Sequence, residues 1–482
     1  MSSAAASFKF HAMTEKLGIC KALLVSGLLL WVIFVLFFKD PRCSNSKSFP
    51  LLRTETASSS NSTSTDTPSP TTLKHIAFGL QSSEKTYHFR RAYIEAWWRP
   101  KKTKGYVYLD RPPTGNLLPW SRKSPPYRIN DDLSKLFQVV RPKDPVMPRM
   151  VHGILELFRE EHEGVRWIVM GDDDTIFFVD NLVDVLSKYD HTKYFYIGYP
   201  SEFVLSNYWY SFNQAFGGSG IILSYPLAKA LVQDMDRCLK TYASLSADLM
   251  TMRCLADIGA DLTPQKGFHQ IDLRGDLSGF LSSHPKDLVL SLHHIDAVDP
   301  YFPTMDRAKS TNHLMKAANV DQSRLFQQTV CHHRQNNWSF SISWGYSTHI
   351  YEKIMARSWL RMPIETFKTW QKSPNRPHYM FNVRRPFGDP CEAPHVFFFQ
   401  SVKKISRNEI LTVYSRSASR NLPACASSGN HSAEHVSEIH VFSPATKRTE
   451  IHISECCDIV RVDNTGKAEV KFRECMADEI IA

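Results

Sequence analysis

The segment WIVMGDDDTIFFVDNLVDVL, residues 167–186, sets Asp172, Asp173 and Asp174 side by side between two apolar runs. Carboxylates this close repel one another, and surroundings that exclude water penalise each charge further. A fold that accepts this segment must bring the three groups to a cleft and meet them there with counter-charge.

The residues around the segment indicate which fold that is. HIAFGL is a short apolar run, read as a strand, and TYHFRRAYIEAWWRP follows with helix-spaced aromatics and a stop at Pro100. GYVYLD (Gly105 to Asp110) is a second strand, closed by Arg-Pro-Pro. MPRMVHGILELFREEHEG is an amphipathic helix ending at Gly164, and VRWIVM is a third strand. Strands that alternate with helices predict an α/β domain with a mainly parallel sheet. The aspartates then stand at the C-terminal end of a central strand, where ligands gather in open α/β sheets.

A hard divalent cation is the simplest neutraliser, since oxygen ligands suit magnesium and manganese and such ions commonly share coordination with substrate phosphates. The residues alone leave open an acidic loop in which Asp173 or Asp174 caps the segment TIFFVDNLVDVL.

Ala22 to Phe38 is a run of seventeen residues without a charge, bracketed by Lys21 and Lys39. As a helix it covers roughly 25 Å, enough for a thin bilayer. No small-residue cleavage site follows in FFKDPRC, so the run is read as an uncleaved signal anchor rather than a signal peptide. Residues 1–21 are then a cytosolic tail. Residues 39–72, rich in Ser, Thr and Pro from Ser44 onward, form a disordered stem. Sequons at Asn61, Asn337 and Asn430 suit a lumenal body. So do nine cysteines beyond the span, which show no CxxC zinc spacing. Cys238 and Cys254 flank a short turn between helical patterns and make a plausible staple, and adjacent Cys456 and Cys457 are expected to bond elsewhere than to each other. The net charge of +10 is scattered. Its densest stretch, Arg90 to Gly105, is read as a solvated helix end, with a phosphate-facing surface as the alternative. A lumenal domain meets no nucleic acid.

Three stretches together carry a resemblance: W-x-x-M-x-DDD-T-x-F-F-x-D-N-L, YIGYPSE (Tyr196 to Glu202) and FGGSGIILSYPLAKAL (Phe216 to Leu231). In them the chain is similar to the Fringe-related β-1,3-glycosyltransferases, and within these to a plant group described as a domain of unknown function. The resemblance covers residues 73–310. It implies a type A glycosyltransferase fold (Rossmann-like, mainly parallel sheet) that uses manganese and a UDP-sugar. Carried over, Asp174 is the principal metal ligand. Asp172 is a further ligand or, with Asp173, contacts the metal's water shell or the donor ribose. Gly217, Gly218 and Gly220 line the substrate loop. Asp248 is the catalytic base, although Leu249 stands where the family often has a second acid; the alternative for Asp248 is a helix N-cap. His293 or His294 supplies a last metal ligand; neighbours on a strand face opposite ways, so only one of them meets the metal, and His293 is preferred. His269 is read as a packed loop residue.

Residues 311–482 are expected to form a β-rich, Cys-containing accessory region without an assigned job. In it NNWSFSISWGYS alternates aromatic and small residues, as in a half-buried strand; a sugar-stacking platform is the other reading. The whole layout implies a Golgi single-pass type II enzyme with a lumenal catalytic domain. It would move a hexose or N-acetylhexosamine, with inversion and in β-1,3-type linkage, to a glycan or glycoprotein hydroxyl. The alternative is a catalytically inactive lumenal glycan-binding or scaffolding protein of the same fold.

Overall fold

The computed structural model describes residues 69–480 except 161–162, 375, 387, 427–430, 449–454 and 464. The expected anchor at 22–38, the tail, most of the stem, Cys20, Cys43, Asn61 and Asn430 lie outside the described residues. Among the described residues no helix is long and apolar enough to cross a membrane. Residues 69–482 make one compact unit.

The predicted alternation is present. Strand β1 (Ile76–Gln81) leads into the helix Glu84–Trp97, whose N-terminus Ser83 caps by accepting from the Thr86 N–H. Strands β2 (Lys104–Leu109) and β3 (Tyr127–Ile129) follow, then the helix Val146–Glu160 and β4 (Trp167–Asp172). Beyond the aspartates come β5 (Ile176–Phe177), β6 (Tyr196–Gly198), β7 (Ile221–Ser224), β8 (Leu262–Pro264), β9 (Phe268–His269), β10 (Leu273–Gly275) and β11 (Ser291–Leu292).

Seven of these strands form one sheet in the order β3-β2-β1-β4-β7-β6-β8. Four of its pairings are parallel (β1 with β2, β1 with β4, β2 with β3, β6 with β8); β7 runs antiparallel to both its neighbours. Both faces are covered, as a mainly parallel sheet requires. Phe78, Trp167 and Val169 pack into one buried cluster, while Ala77, Ile168 and Met170 join another with Val151, Ile154, Leu231 and Met250 from helices.

Register explains why distant residues meet. Met170 lies opposite Ile221 on antiparallel β7, so the Gly217–Gly220 loop before β7 abuts the turn after β4. Leu292 lies opposite Ile176, so His293 emerges beside the aspartate turn.

The C-terminal half is β-rich, as expected. Its eight-stranded sheet runs from Gln328–His333 at one end of the order to Cys456–Val462 at the other. Trp338–Ser343 is a strand buried on both faces, and Trp338, Phe340, Ile342, Trp344 and Tyr346 are core residues at 1% exposure or less, so none is a platform for sugar. The two regions keep separate large sheets yet share one core: Phe78 and Phe177 belong to the same cluster as Phe340, Tyr346 and Phe399. Among the described residues four disulfides are present, Cys238–Cys254, Cys331–Cys457, Cys391–Cys425 and Cys456–Cys475. The expected staple and the separate partners of Cys456 and Cys457 are among them. Asn337 is exposed in a hairpin turn.

Candidate active site

The three aspartates divide their work. Asp173 turns inward, where its carboxylate accepts from Ser82 Oγ (2.6 Å), Thr86 Oγ1 (2.7 Å) and Arg90 Nη1 (2.7 Å). Both its oxygens are engaged and it is 2% exposed, so the expected contact of Asp173 with ribose or a metal's water shell is not available in this arrangement. Asp174 is equally buried but faces the other way: its Oδ1 lies 3.2 Å from His293 Nε2 and its Oδ2 lies 3.3 Å from Arg90 Nη2. Asp172 is more open, with Oδ2 3.5 Å from His293 Nε2.

The protein itself therefore supplies much of the counter-charge that the sequence demands. Arg90 reaches Asp173, Asp174 and Asp296, the last at 2.6 Å through Nε. It sits within the basic stretch read as a solvated helix end; that reading suits the exposed Lys101 and Lys102 but not Arg90. Thr86 and Arg90 are one helical turn apart and share the face that meets Asp173. That spacing was the available signal, but the partners lie more than eighty residues away. Burial alone would raise both carboxyls. For Asp174 the neighbouring His293 and Arg90 outweigh it and hold the group well below the usual range. For Asp173 burial wins, helped by Asp174, against Arg90, and the carboxyl is pushed up. Burial would lower His293, but Asp174 and Asp172 dominate and raise the imidazole to about 10.

Asp172, Asp174 and His293 can each offer a ligand atom, and these atoms lie within 4.8 Å of one another. Two carboxylate oxygens and an imidazole suit manganese, and His293 Nε2 is the nitrogen that faces both carboxylates, so this donor set fits the implied ion. His294 does not join it. Its ring lies 4.0 Å from that of His293, but its Nδ1 turns to Asp272 Oδ1 at 3.1 Å and its face lies flat against Trp370 at 4.3 Å. The two rings sit side by side rather than on opposite faces, since β11 ends at Leu292 and His294 takes a left-handed φ of 56°.

The glycine loop joins the two halves of the site. The Gly217 N–H donates to Asp248 Oδ1 at 2.9 Å, and a Cβ there would stand 2.6 Å from the same oxygen. A Cβ at Gly218 would stand 2.1 Å from His293 Cε1, and Gly220 needs its φ of 120°. Thr175 Oγ1 donates to the Gly218 carbonyl (2.6 Å) and accepts from the Asp172 N–H (3.0 Å), fastening the loop to the acidic turn. Thr175 escaped sequence reasoning because a threonine in a turn carries no distinctive signal.

Asp248 stands in the first turn of the helix Ala247–Asp257 but does not cap it; Ser246 is the N-cap. Its carboxylate is spent on the glycine loop instead. It shares with Asp172, Gln81 and Gly217 a cavity of about 30 Å³, walled on its apolar side by Val151, Ile154 and Met170. Burial pushes the Asp248 carboxyl up to about 7, the Gly217 N–H opposing and Asp172 reinforcing the shift.

Fold and site together define a mixed α/β protein whose central strand ends in a metal-competent carboxylate–histidine cluster, with a second, weakly acidic carboxyl close by. The chain belongs to the family described as "Protein of unknown function, DUF604", whose model matches residues 206–457, more than half of the chain. It is similar to the mouse protein named Beta-1,3-glucosyltransferase, with 29% identity over 161 residues, 31% of this chain and 30% of that protein. The human protein of the same name is 28% identical over 152 residues, with the same shares. The chain thus spans about 30% of the length of the curated relatives it matches. Among solved structures, mouse xyloside xylosyltransferase 1 in its apo form aligns at 11% identity over 42% of this chain and 86% of that one, with a TM-score of 0.25; no argument rests on it.

Proposed function

We propose that this protein is a metal-dependent, inverting glycosyltransferase that moves a hexose or N-acetylhexosamine from a UDP-sugar to a glycan or glycoprotein hydroxyl, in β-1,3-type linkage. The observation that carries this reading is the gathering of Asp172, Asp174 and His293 around one point, with Asp248 held nearby by the loop that also packs on His293. The similarity to the two proteins named Beta-1,3-glucosyltransferase supports it.

In this reading Asp172, Asp174 and His293 hold manganese. When bound, the ion supplies Lewis-acid stabilisation to the charge that develops on the departing nucleoside diphosphate. Asp248 takes the proton from the acceptor hydroxyl as that oxygen bonds to the anomeric carbon and the bond to the donor phosphate breaks on the opposite face. A carboxyl that titrates near 7 suits the work, because it is basic enough to accept a proton and still ionised at working pH. The Gly217 N–H keeps that carboxylate aimed. Arg90 and the Asp173 network fix the acidic turn from behind and hold Asp174 in place.

The proposed setting is the Golgi membrane, single-pass type II with a lumenal catalytic body. The charge-free run at 22–38 and the four disulfides support it.

The test is UDP release by the purified full-length chain from a panel of UDP-sugars, with and without manganese and glycan acceptors. Manganese-dependent release that vanishes in Asp174→Asn is expected. Full activity of Asp174→Asn, or release indifferent to chelation, would refute the assignment. Manganese-dependent UDP binding with no turnover on any donor would favour the inactive, glycan-binding alternative.

A further inference from the structure

Behind the candidate active site lies a second cluster that the proposed reaction does not use. Glu202 is 5% exposed and His269 is 5% exposed, while His284 is partly buried. Glu202 Oε1 accepts from His269 Nδ1 at 2.9 Å, and Oε2 accepts from the Ile271 N–H at 2.8 Å. With the proton of a neutral His269 held on Nδ1, its Nε2 presents a bare lone pair. That Nε2 is buried without a partner, and so is Nδ1 of His284. An orphaned buried polar atom costs about 1–3 kcal/mol, and two of them in one place call for a shared partner.

The surroundings prepare both rings for such a partner. His284 is wedged between Phe280 (centroids 4.5 Å apart, stacked) and Phe381 (4.1 Å), which fixes its plane. His269 meets Phe280 edge-on at 5.6 Å and His284 at 5.8 Å. Each of Glu202, His269 and His284 can offer an atom within 4.8 Å of the others. A carboxylate that orients an imidazole whose far nitrogen binds a metal is the usual outer-shell arrangement of zinc histidines.

We infer that His269 Nε2 and His284 Nδ1, oriented by Glu202, form a second divalent-metal site, selective for zinc over manganese because imidazole nitrogens are its ligands. Water completes the coordination. The site is structural rather than catalytic. The His269 carbonyl accepts the His293 N–H at 3.1 Å, so a metal there stiffens the strand on which a catalytic-site ligand hangs. Ile271, two residues on, holds a left-handed φ of 52°, unusual for a β-branched residue and clamped by the same carboxylate. This inference stands independently of the transferase reading.

Metal content of the full-length chain tests it. Asp174→Asn silences the first site; after zinc loading and desalting, that variant is expected to retain about one zinc per chain by elemental analysis. Adding His284→Phe, which keeps the aromatic stack but removes the lone pair, is expected to abolish retention. Cobalt loading of the Asp174→Asn chain should give a visible ligand-field band that the double variant lacks, with near-UV circular dichroism unchanged. Absence of zinc from the single variant, or equal zinc in both, would overturn the site. So would a cobalt spectrum indifferent to His284. None of these readouts requires turnover.

Discussion

Asp248 carries two demands that pull in opposite directions. Its folded-state carboxyl titrates near 7, against an ordinary value of 3.8. Between those values the native state keeps a proton that the unfolded chain has lost, so stability falls as pH rises and the deficit is complete above about 7. Asp248→Asn removes the deficit while its side-chain oxygen still faces the Gly217 N–H. In chelator, its unfolding free energy is expected to exceed that of wild type at pH 8 but not at pH 4, by on the order of 1–4 kcal/mol. Transfer should be lost while manganese-dependent UDP binding persists. In the wild-type protein, the proposed transfer should quicken with pH through a limb near 7. Arg90 makes the complementary case. Arg90→Met leaves Asp173 and Asp174 without their shared cation, and a loss of about 3 kcal/mol is expected in chelator. Manganese should restore part of it, read as a larger metal-induced melting shift than in wild type. Asp172 and Asp174 are legible in the sequence as members of the acidic run, and Asp248 and His293 only through the family resemblance, which leaves His294 open beside His293. Arg90 and Thr175 are not legible, because their roles come from partners that only the fold brings near.

At the scale of elements, the strands and helices of the first half follow from periodicity, and β4 ends where an α/β sheet places ligands. The antiparallel course of β7 is the exception, and it matters, because it delivers the Gly217–Gly220 loop to the aspartate turn. No periodicity reports strand direction. The loop's closeness to both His293 and Asp248 gives a sharp test. Gly218→Ala places a methyl 2.1 Å from the His293 ring and must displace it. Loss of manganese-induced thermal stabilisation is expected, with far-UV circular dichroism preserved. His294 shows the opposite failure of pattern reasoning: alternation along a strand would put neighbours on opposite faces, but past the strand's end the left-handed His294 keeps its ring 4.0 Å from that of His293.

At the scale of the whole molecule, the sequence marks a change of character near residue 310, and the sheets do change there. The core does not. Tyr346 packs on Phe302 and on Phe398, and Phe302 also meets Phe399, so aromatic contacts cross the compositional boundary. A chain ending at residue 310 would expose those faces and is expected to be recovered as aggregate or as a species rapidly degraded in limited proteolysis. Composition reports what a segment contains, not which neighbour covers it.

The Cys331–Cys457 bridge joins the two outermost strands of the eight-stranded sheet across 126 positions of sequence. A nascent polypeptide that has displayed only the first of those strands cannot close this bridge until Cys457 has also left the ribosome. A premature stop shortly before codon 457 would therefore forfeit the clasp even though Asp172, Asp174, Asp248 and His293 had already been made.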